Sequence, residues 1–312
     1  MKILVTGGCG YVGSSLVPAL LKHGYSVVVV DTMWFGNKLA PHANLTVVQE
    51  DIRNIDNIHM DGVDKVIHLA NIANDPTGDL DAKLVWEVNA LATMGLVEKS
   101  ISTKVTQFIY ASSGSVYGVK DELEVTEDLS LVPISDYNKT KMISERTLLS
   151  YAEKLCIQIV RPATVCGHSP RMRLDLSVNM LTFQALKNGV ITVFGGSQER
   201  PNIHMKDMVR VYLHFLEKPE LRGVYNAGFE NISILELARR ISKSLDTKIE
   251  IRESNDPRSY RLSSRKLEAT GFERQYGIDD GIKEVIDAFR SGLLLDEDAN
   301  YNIRTMMKIA KK

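Results

Sequence analysis

Met1-Lys2-Ile3-Leu4-Val5-Thr6-Gly7-Gly8-Cys9-Gly10-Tyr11-Val12-Gly13 opens the chain. An apolar strand runs directly into three glycines spaced G-x-x-G-x-x-G, and a helical pattern follows in Val12, Leu16 and Leu20. Strand, glycine turn and helix together form a cradle for a pyrophosphate. Gly7 permits the tight turn, Gly10 lets the backbone approach the phosphates, and Gly13 lets the helix pack on the strand. The helix start adds free N–H groups and the positive end of a dipole. The spacing differs from G-x-G-x-x-G by one inserted residue, and an ordinary strand-to-helix turn can carry the same composition.

A second strand supports the ligand-binding alternative. Val27-Val28-Val29-Val30 ends in Asp31. An acidic residue about 20 positions beyond the glycines, at the carboxyl end of a strand, can accept both hydroxyls of an adenosine ribose. It also repels a 2′-phosphate. The residues that follow, Thr32, Met33 and Trp34, include no arginine, so the pattern points to NAD rather than NADP.

A chain of 312 residues is long enough for one large domain or two smaller ones with a full hydrophobic core. Net charge is −1 and no block of like charge stands out, which argues against nucleic acid or an anionic membrane as main partners. Cys9, Cys156 and Cys166 show neither metal-ligand spacing nor pairing logic, and fit the reducing conditions of a cytoplasmic protein. Met1 leads straight into a core strand with no signal-peptide pattern, and no apolar run is long enough to span a bilayer.

Strands are expected at 2–6, 26–31, 45–49, 64–69, 105–111 and 157–161, and helices at 11–23, 81–101 and 136–154. This alternation means right-handed β-α-β units and a parallel sheet covered on both faces. Beyond 165 the pattern becomes mixed: helix 175–188, strand 191–194, a helix within 202–216, strand 223–227, helix 232–244, strand 248–252 and a last helix near 279–292. The expected division is 1–165 as a dinucleotide-binding domain and 166–312 as a smaller mixed α/β substrate lobe, some of whose elements return to the main sheet. The polar segment after Asp296 is expected to fray.

Tyr137-Asn138-Lys139-Thr140-Lys141 lies early in a predicted helix, where positions four apart share a face. A phenol has a reference pKa of about 10. A nearby ammonium favours the phenolate, and so does a cationic nicotinamide. Tyr137 then becomes a usable base near neutral pH. Upstream, Ala111-Ser112-Ser113-Gly114-Ser115 leaves the end of a predicted strand, where ligands bind to parallel sheets. Ser113 can hydrogen-bond the substrate oxygen that Tyr137 deprotonates. An amphipathic helix with an exposed lysine and a serine-rich turn satisfied by its own backbone would look similar.

These residues together resemble the extended short-chain dehydrogenase/reductases, specifically the NAD-dependent nucleotide-sugar epimerases and dehydratases. The marks are Thr6-Gly7-Gly8-x-Gly10-x-x-Gly13, Asp31, Asp51-Ile52, His68-Leu69-Ala70, Asn89, Ser112-Ser113 with Val116-Tyr117-Gly118, Tyr137-x-x-x-Lys141, Arg161-Pro162, and Arg200 with His204 and Asp207. The resemblance implies a doubly wound parallel (Rossmann) sheet and a bound NAD. It implies that Gly7, Gly10, Tyr11, Val12, Gly13 and Asp31 meet the cofactor. Asp51 and Ile52 would flank the adenine, Leu69 and Ala70 would line the cofactor channel, and Asn89 would support the loop beside it. Ser113, Tyr137 and Lys141 would form the catalytic group, the last two also touching the cofactor. The substrate would be a nucleotide-diphosphate sugar, with Arg200 and Arg258 on its diphosphate and Thr164 and Asn179 nearby. Relatives pair the helices matching 81–101 and 136–154 across a two-fold axis, which implies a homodimer.

Departures narrow the chemistry. The 4,6-dehydratases of this family carry Asp-Glu after the catalytic hydroxyl residue, where this chain has Gly114-Ser115. Thr164-Val165-Cys166-Gly167-His168 replaces the family's Asn-x-Tyr-Gly-Pro, and the loop Asn71-Ile72-Ala73-Asn74-Asp75-Pro76 is unusual. Cys166 and His168 stand as either a second acid/base pair or simple loop variation. Three functions remain open at this point. One is epimerisation through a 4-keto sugar, one is a net-redox dehydrogenase or ketoreductase, and one is a non-catalytic NAD sensor or scaffold on the same fold.

Overall fold

The computed structural model describes residues 1–253 and 259–309. Seven parallel strands form the main sheet: β1 (Lys2–Thr6), β2 (Ser26–Asp31), β3 (Leu45–Gln49), β4 (Lys65–His68), β5 (Gln107–Ala111), β6 (Cys156–Pro162) and β10 (Gly223–Ala227). Their order is β10-β6-β5-β4-β1-β2-β3. Strand order reverses on either side of β1, so its carboxyl end lies at the switch point where an open α/β sheet binds ligands.

β1 is central because its residues are apolar on both faces. Ile3 and Val5 pack with Leu16, Val17 and Leu20 of the helix Gly13–Lys22, and with Met208, Tyr212 and Phe215 of the helix Met205–Glu217. Leu4 points the other way, into a core with Val66, Phe108, Leu96, Val97 and Leu148. Burying each such side chain contributes about 1.5–3 kcal/mol. The fold is therefore doubly wound α/β.

The smaller part contains β7 (Thr164–Cys166), β8 (Val190–Phe194), β9 (Glu199–His204), β11 (Glu230–Ser233) and β12 (Lys248–Arg252). β9 lies between antiparallel β11 and parallel β7, and β8 pairs in parallel with β12. A third core of Val178, Leu181, Ile191, Val193, Leu237, Ile241 and Ile282 holds these elements together.

The structure corrects several expected elements. The helix expected over 81–101 is interrupted by a π-helical turn, Glu87–Leu91, between Ala82–Trp86 and Ala92–Ser102. The helix expected from 136 ends at Ser150, where Tyr151 begins a turn. The segment after Asp296 does not fray throughout: Asn302–Ile309 is a helix that buries Asn302, Thr305 and Met306. β7, β9 and β11 were not expected as strands.

The helix Asp136–Ser150, which carries Tyr137, is anchored by a buried ion pair. Arg161 on β6 meets Glu145 through Nε to Oε1 at 2.9 Å and Nη2 to Oε2 at 2.6 Å. Their side chains are 5% and 2% exposed, and the Ser112 hydroxyl donates to the same carboxylate. Removing one partner leaves the other charge buried without compensation. Glu145→Ala should therefore cost about 3–5 kcal/mol. Urea unfolding should show a lower midpoint at unchanged slope.

Candidate active site

A cleft enclosing about 590 Å³ runs along the carboxyl edge of the main sheet, within the size range of cofactor sites. Gly7, Gly10, Tyr11, Val12 and Gly13 form one wall. Gly7 has φ +74°, and a Cβ there would lie 2.6 Å from the Ala70 backbone nitrogen. A Cβ on Gly13 would lie 2.6 Å from Gly8 Cα, so only glycine lets helix and turn close up. The helix Gly13–Lys22 starts at Val12 with no side-chain cap, which leaves its N-terminal dipole end for a ligand.

Asp31 lies beside this turn. Cys9 N donates to its Oδ2 at 2.9 Å and Met33 N to its Oδ1 at 2.7 Å. Burial raises its pKa, opposed by those two backbone donors. Each oxygen keeps acceptor capacity for a ribose hydroxyl. Asp51, Ile52, Leu69 and Ala70 continue the same wall. The residues thus fit a dinucleotide: a helix start for its phosphates and a carboxylate for its ribose.

Across the cleft are Ser113 and Tyr137. Ser113 ends the extended segment after β5. Its hydroxyl is 2.7 Å from Ser115 Oγ, and both Ser113 and Tyr137 line the cleft. Burial pushes Tyr137 up to about 12, with Asp75 adding to the rise and Ser113 and Arg173 opposing it. Lys141 does not line the cleft. It is 1% exposed, donates from Nζ to Ala111 O at 2.6 Å, and lies 4.7 Å from the Tyr110 ring centre. Burial lowers Lys141 to about 7, against the pull of Glu145. In the protein alone, burial is the dominant influence on both the Tyr137 phenol and the Lys141 ammonium.

Asn89, in the π-helical turn, also stays out of the cleft. It accepts from Ile72 N at 2.7 Å and donates to Ile72 O at 3.1 Å, clamping the loop that carries Asp75. Thr164 and Arg200 line the opposite side. Asn179 does not reach the cleft. Its Oδ1 accepts from Gly167 N at 3.0 Å and its Nδ2 donates to the Tyr11 hydroxyl at 2.9 Å, so it braces the loop after β7. Cys166 and His168 are likewise absent from the lining. Arg258 lies outside the described residues.

The sequence reading missed a set of cleft residues: Arg171, Arg173, Asp175 and Asn302. Arg173 grips Asp175 through Nε to Oδ1 at 2.9 Å and Nη2 to Oδ2 at 3.1 Å. Burial, then Arg173, lowers Arg171 to about 9. The signal was the alternation of 171, 173 and 175 with the apolar Met172 and Leu174, the period of an extended segment. Among the described residues no group of acids, histidines and cysteines is arranged to hold a metal, and no helix is long and apolar enough to cross a membrane.

Residues 3–228 match the NAD dependent epimerase/dehydratase family. A putative UDP-glucose 4-epimerase of Methanocaldococcus jannaschii is 30% identical over 299 residues, 91% of this chain and 97% of that protein. A UDP-glucose 4-epimerase of Lactobacillus helveticus is 28% identical over 273 residues, 78% of this chain and 82% of its own. The solved structure of UDP-glucuronic acid 4-epimerase from Bacillus cereus, in complex with UDP-glucuronic acid and NAD, superposes with a TM-score of 0.82 at 29% identity, covering 93% of this chain and 99% of that one. The chain belongs to the NAD dependent epimerase/dehydratase family.

The depressed Lys141 has a consequence for stability. Its folded pKa, about 7, lies below its ordinary value of 10.5. Between these limits the unfolded chain holds the extra proton, so this group makes stability rise with pH. The stability difference between wild type and Lys141→Met should move in favour of wild type by more than about 1 kcal/mol from about pH 7 to about pH 9. Denaturant titrations at several pH values test this; parallel profiles would refute it.

Proposed function

We propose that this protein is an NAD-dependent nucleotide-sugar epimerase that oxidises the sugar at C4. The observation that carries the reading is the placement of Ser113 and Tyr137 in one cleft with the glycine turn, Asp31 and Arg200. Bound NAD supplies the hydride acceptor for the first half-reaction and the donor for the second. Ser113 orients the C4 hydroxyl, and Tyr137 takes its proton as the carbon becomes a ketone. Tyr137 starts as a phenol, so the positive charge of the loaded cleft is what brings it into use as a base near neutral pH. Lys141 holds the helix start beside Ala111 and adds its charge behind the phenol. If the keto sugar turns over before hydride returns, the product is the C4 epimer.

Arg200, with Arg258 by the sequence reading, binds the substrate diphosphate, for which a guanidinium fork is well matched. Thr164 faces the sugar. UDP is the nucleotide favoured by the relatives' names. The proposed division is 1–165 as the dinucleotide-binding domain and 166–312 as the substrate lobe, with Arg171 and Asn302 of that lobe reaching the shared cleft. Gly114-Ser115 provides no acid/base pair for 4,6-dehydration. A cytoplasmic homodimer completes the reading. Leu91, Met94, Ile143 and Leu149 are 59%, 40%, 39% and 37% exposed on the helical segments between 81 and 101 and from 136 onward, an apolar face suited to a second copy.

Tyr137→Phe keeps the ring and removes the base. Interconversion of UDP-glucose and UDP-galactose should fall by about 10²–10⁴ while NAD content is unchanged. Lasting NADH absorbance with a keto product in the wild type would instead indicate net redox chemistry. A sensor or scaffold would show no turnover to lose.

A further inference from the structure

Arg171 belongs to no pair that explains it. Its backbone N–H donates to Ser14 Oγ at 3.2 Å, on the first turn of the helix Gly13–Lys22, which places it beside the glycine turn. Its side chain lines the cleft although the residue is only 3% exposed. The guanidinium lies 3.9 Å from the Phe35 ring centre, and Nη2 donates to Asn302 Oδ1 at 2.5 Å. Nε has no hydrogen-bond partner among the described residues. The carboxylates close enough to feel its charge are committed elsewhere. Asp175 is held bidentately by Arg173, and both oxygens of Asp31 accept backbone N–H groups.

A buried guanidinium without a bonded carboxylate is costly, and the Arg171 backbone sits against the first turn of the helix whose uncapped N-terminus opens to the same cleft. Both features favour an anion in that cleft. The cleft at this point lies between the ribose carboxylate Asp31 and the helix start, so the anion is a diphosphate linking two nucleosides. We propose that Arg171 is a ligand for the diphosphate of the bound dinucleotide, positioned by Asn302. The assignment rests on the cofactor reading above. Asn302 suits the positioning role because its other groups tie it down: its N–H donates to Asp175 Oδ2 at 3.2 Å and its Nδ2 to Ala73 O at 3.4 Å. The last helix, Asn302–Ile309, thereby becomes a clasp behind the cofactor, which suits an enzyme that reuses one dinucleotide through many turnovers.

Isothermal titration of the full-length protein, freed of nucleotide, with NAD, ADP and adenosine tests the proposal. Arg171→Met should weaken NAD and ADP about 10- to 100-fold, the worth of a charge-assisted hydrogen bond, and leave adenosine unchanged. Asn302→Ala should give a smaller loss with the same phosphate selectivity. Arg171→Lys keeps the charge without the planar fork and should fall between; it carries the test if the methionine variant does not fold. Unchanged NAD and ADP binding, or an equal loss for adenosine, would overturn the assignment. Wild type that binds none of the three ligands would instead overturn the cofactor reading and this assignment with it.

Discussion

The chain leaves the middle of a fully buried sheet at Gly7, and everything in the cleft depends on how closely it can do so. Ile3, Leu4 and Val5 are completely buried, so β1 cannot shift to accommodate a wider turn. Gly7 takes a left-handed backbone conformation against Ala70, and Gly13 lets the helix start against Gly8. That contact brings an uncapped helix N-terminus to the edge of the sheet, beside Asp31 at the end of the neighbouring strand. Core packing and anion binding are thus two results of one steric constraint.

The opposite wall is held by charge rather than by apolar packing. Glu145 and Arg161 fasten the helix Asp136–Ser150 to β6, and Asn89 ties down the loop opposite. These buried polar groups fix the helix that brings Tyr137 to the cleft beside Ser113, where desolvation raises the phenol. Desolvation raises a phenol and lowers an ammonium, and both effects are present, at Tyr137 and Lys141. In the proposed mechanism the positive charge of the bound cofactor offsets the desolvation of the phenol, which would couple proton transfer to cofactor occupancy.

Much of this was legible in sequence because a doubly buried parallel strand has a distinctive composition. Runs such as Val27–Val30 and Phe108–Ile109 marked the main sheet, and the glycine spacing marked its switch point. Gly7, Asp31 and Ser113 followed from their positions at strand ends, Tyr137 from its helical spacing with Lys141, and Asp51, Ile52, Leu69 and Ala70 from the family resemblance. The remainder depends on tertiary contacts. β9 contains Arg200, Pro201 and Asn202, which carry no strand signal, and forms because β7 and β11 flank it. The helix at Asn302 is short, and it is held by polar bonds to Asp175 and Ala73 together with burial of Met306 in the core. Asn179 sits on a helix that faces the cleft region, yet its amide is consumed by Gly167 and Tyr11. Spacing along the chain could not reveal that Lys141 would be buried against Ala111 O rather than lining the cleft.

The central claim is that hydride leaves C4 and returns to the same carbon inside a closed cleft. The most direct measurement follows UDP-glucose labelled with deuterium at C4 through conversion in ordinary water, with the position of the label read by NMR. The account predicts UDP-galactose that retains deuterium at C4, with no hydrogen from solvent at that carbon. Loss of the label to solvent at C4, or labelled nicotinamide accumulating in solution with a keto product, would contradict it.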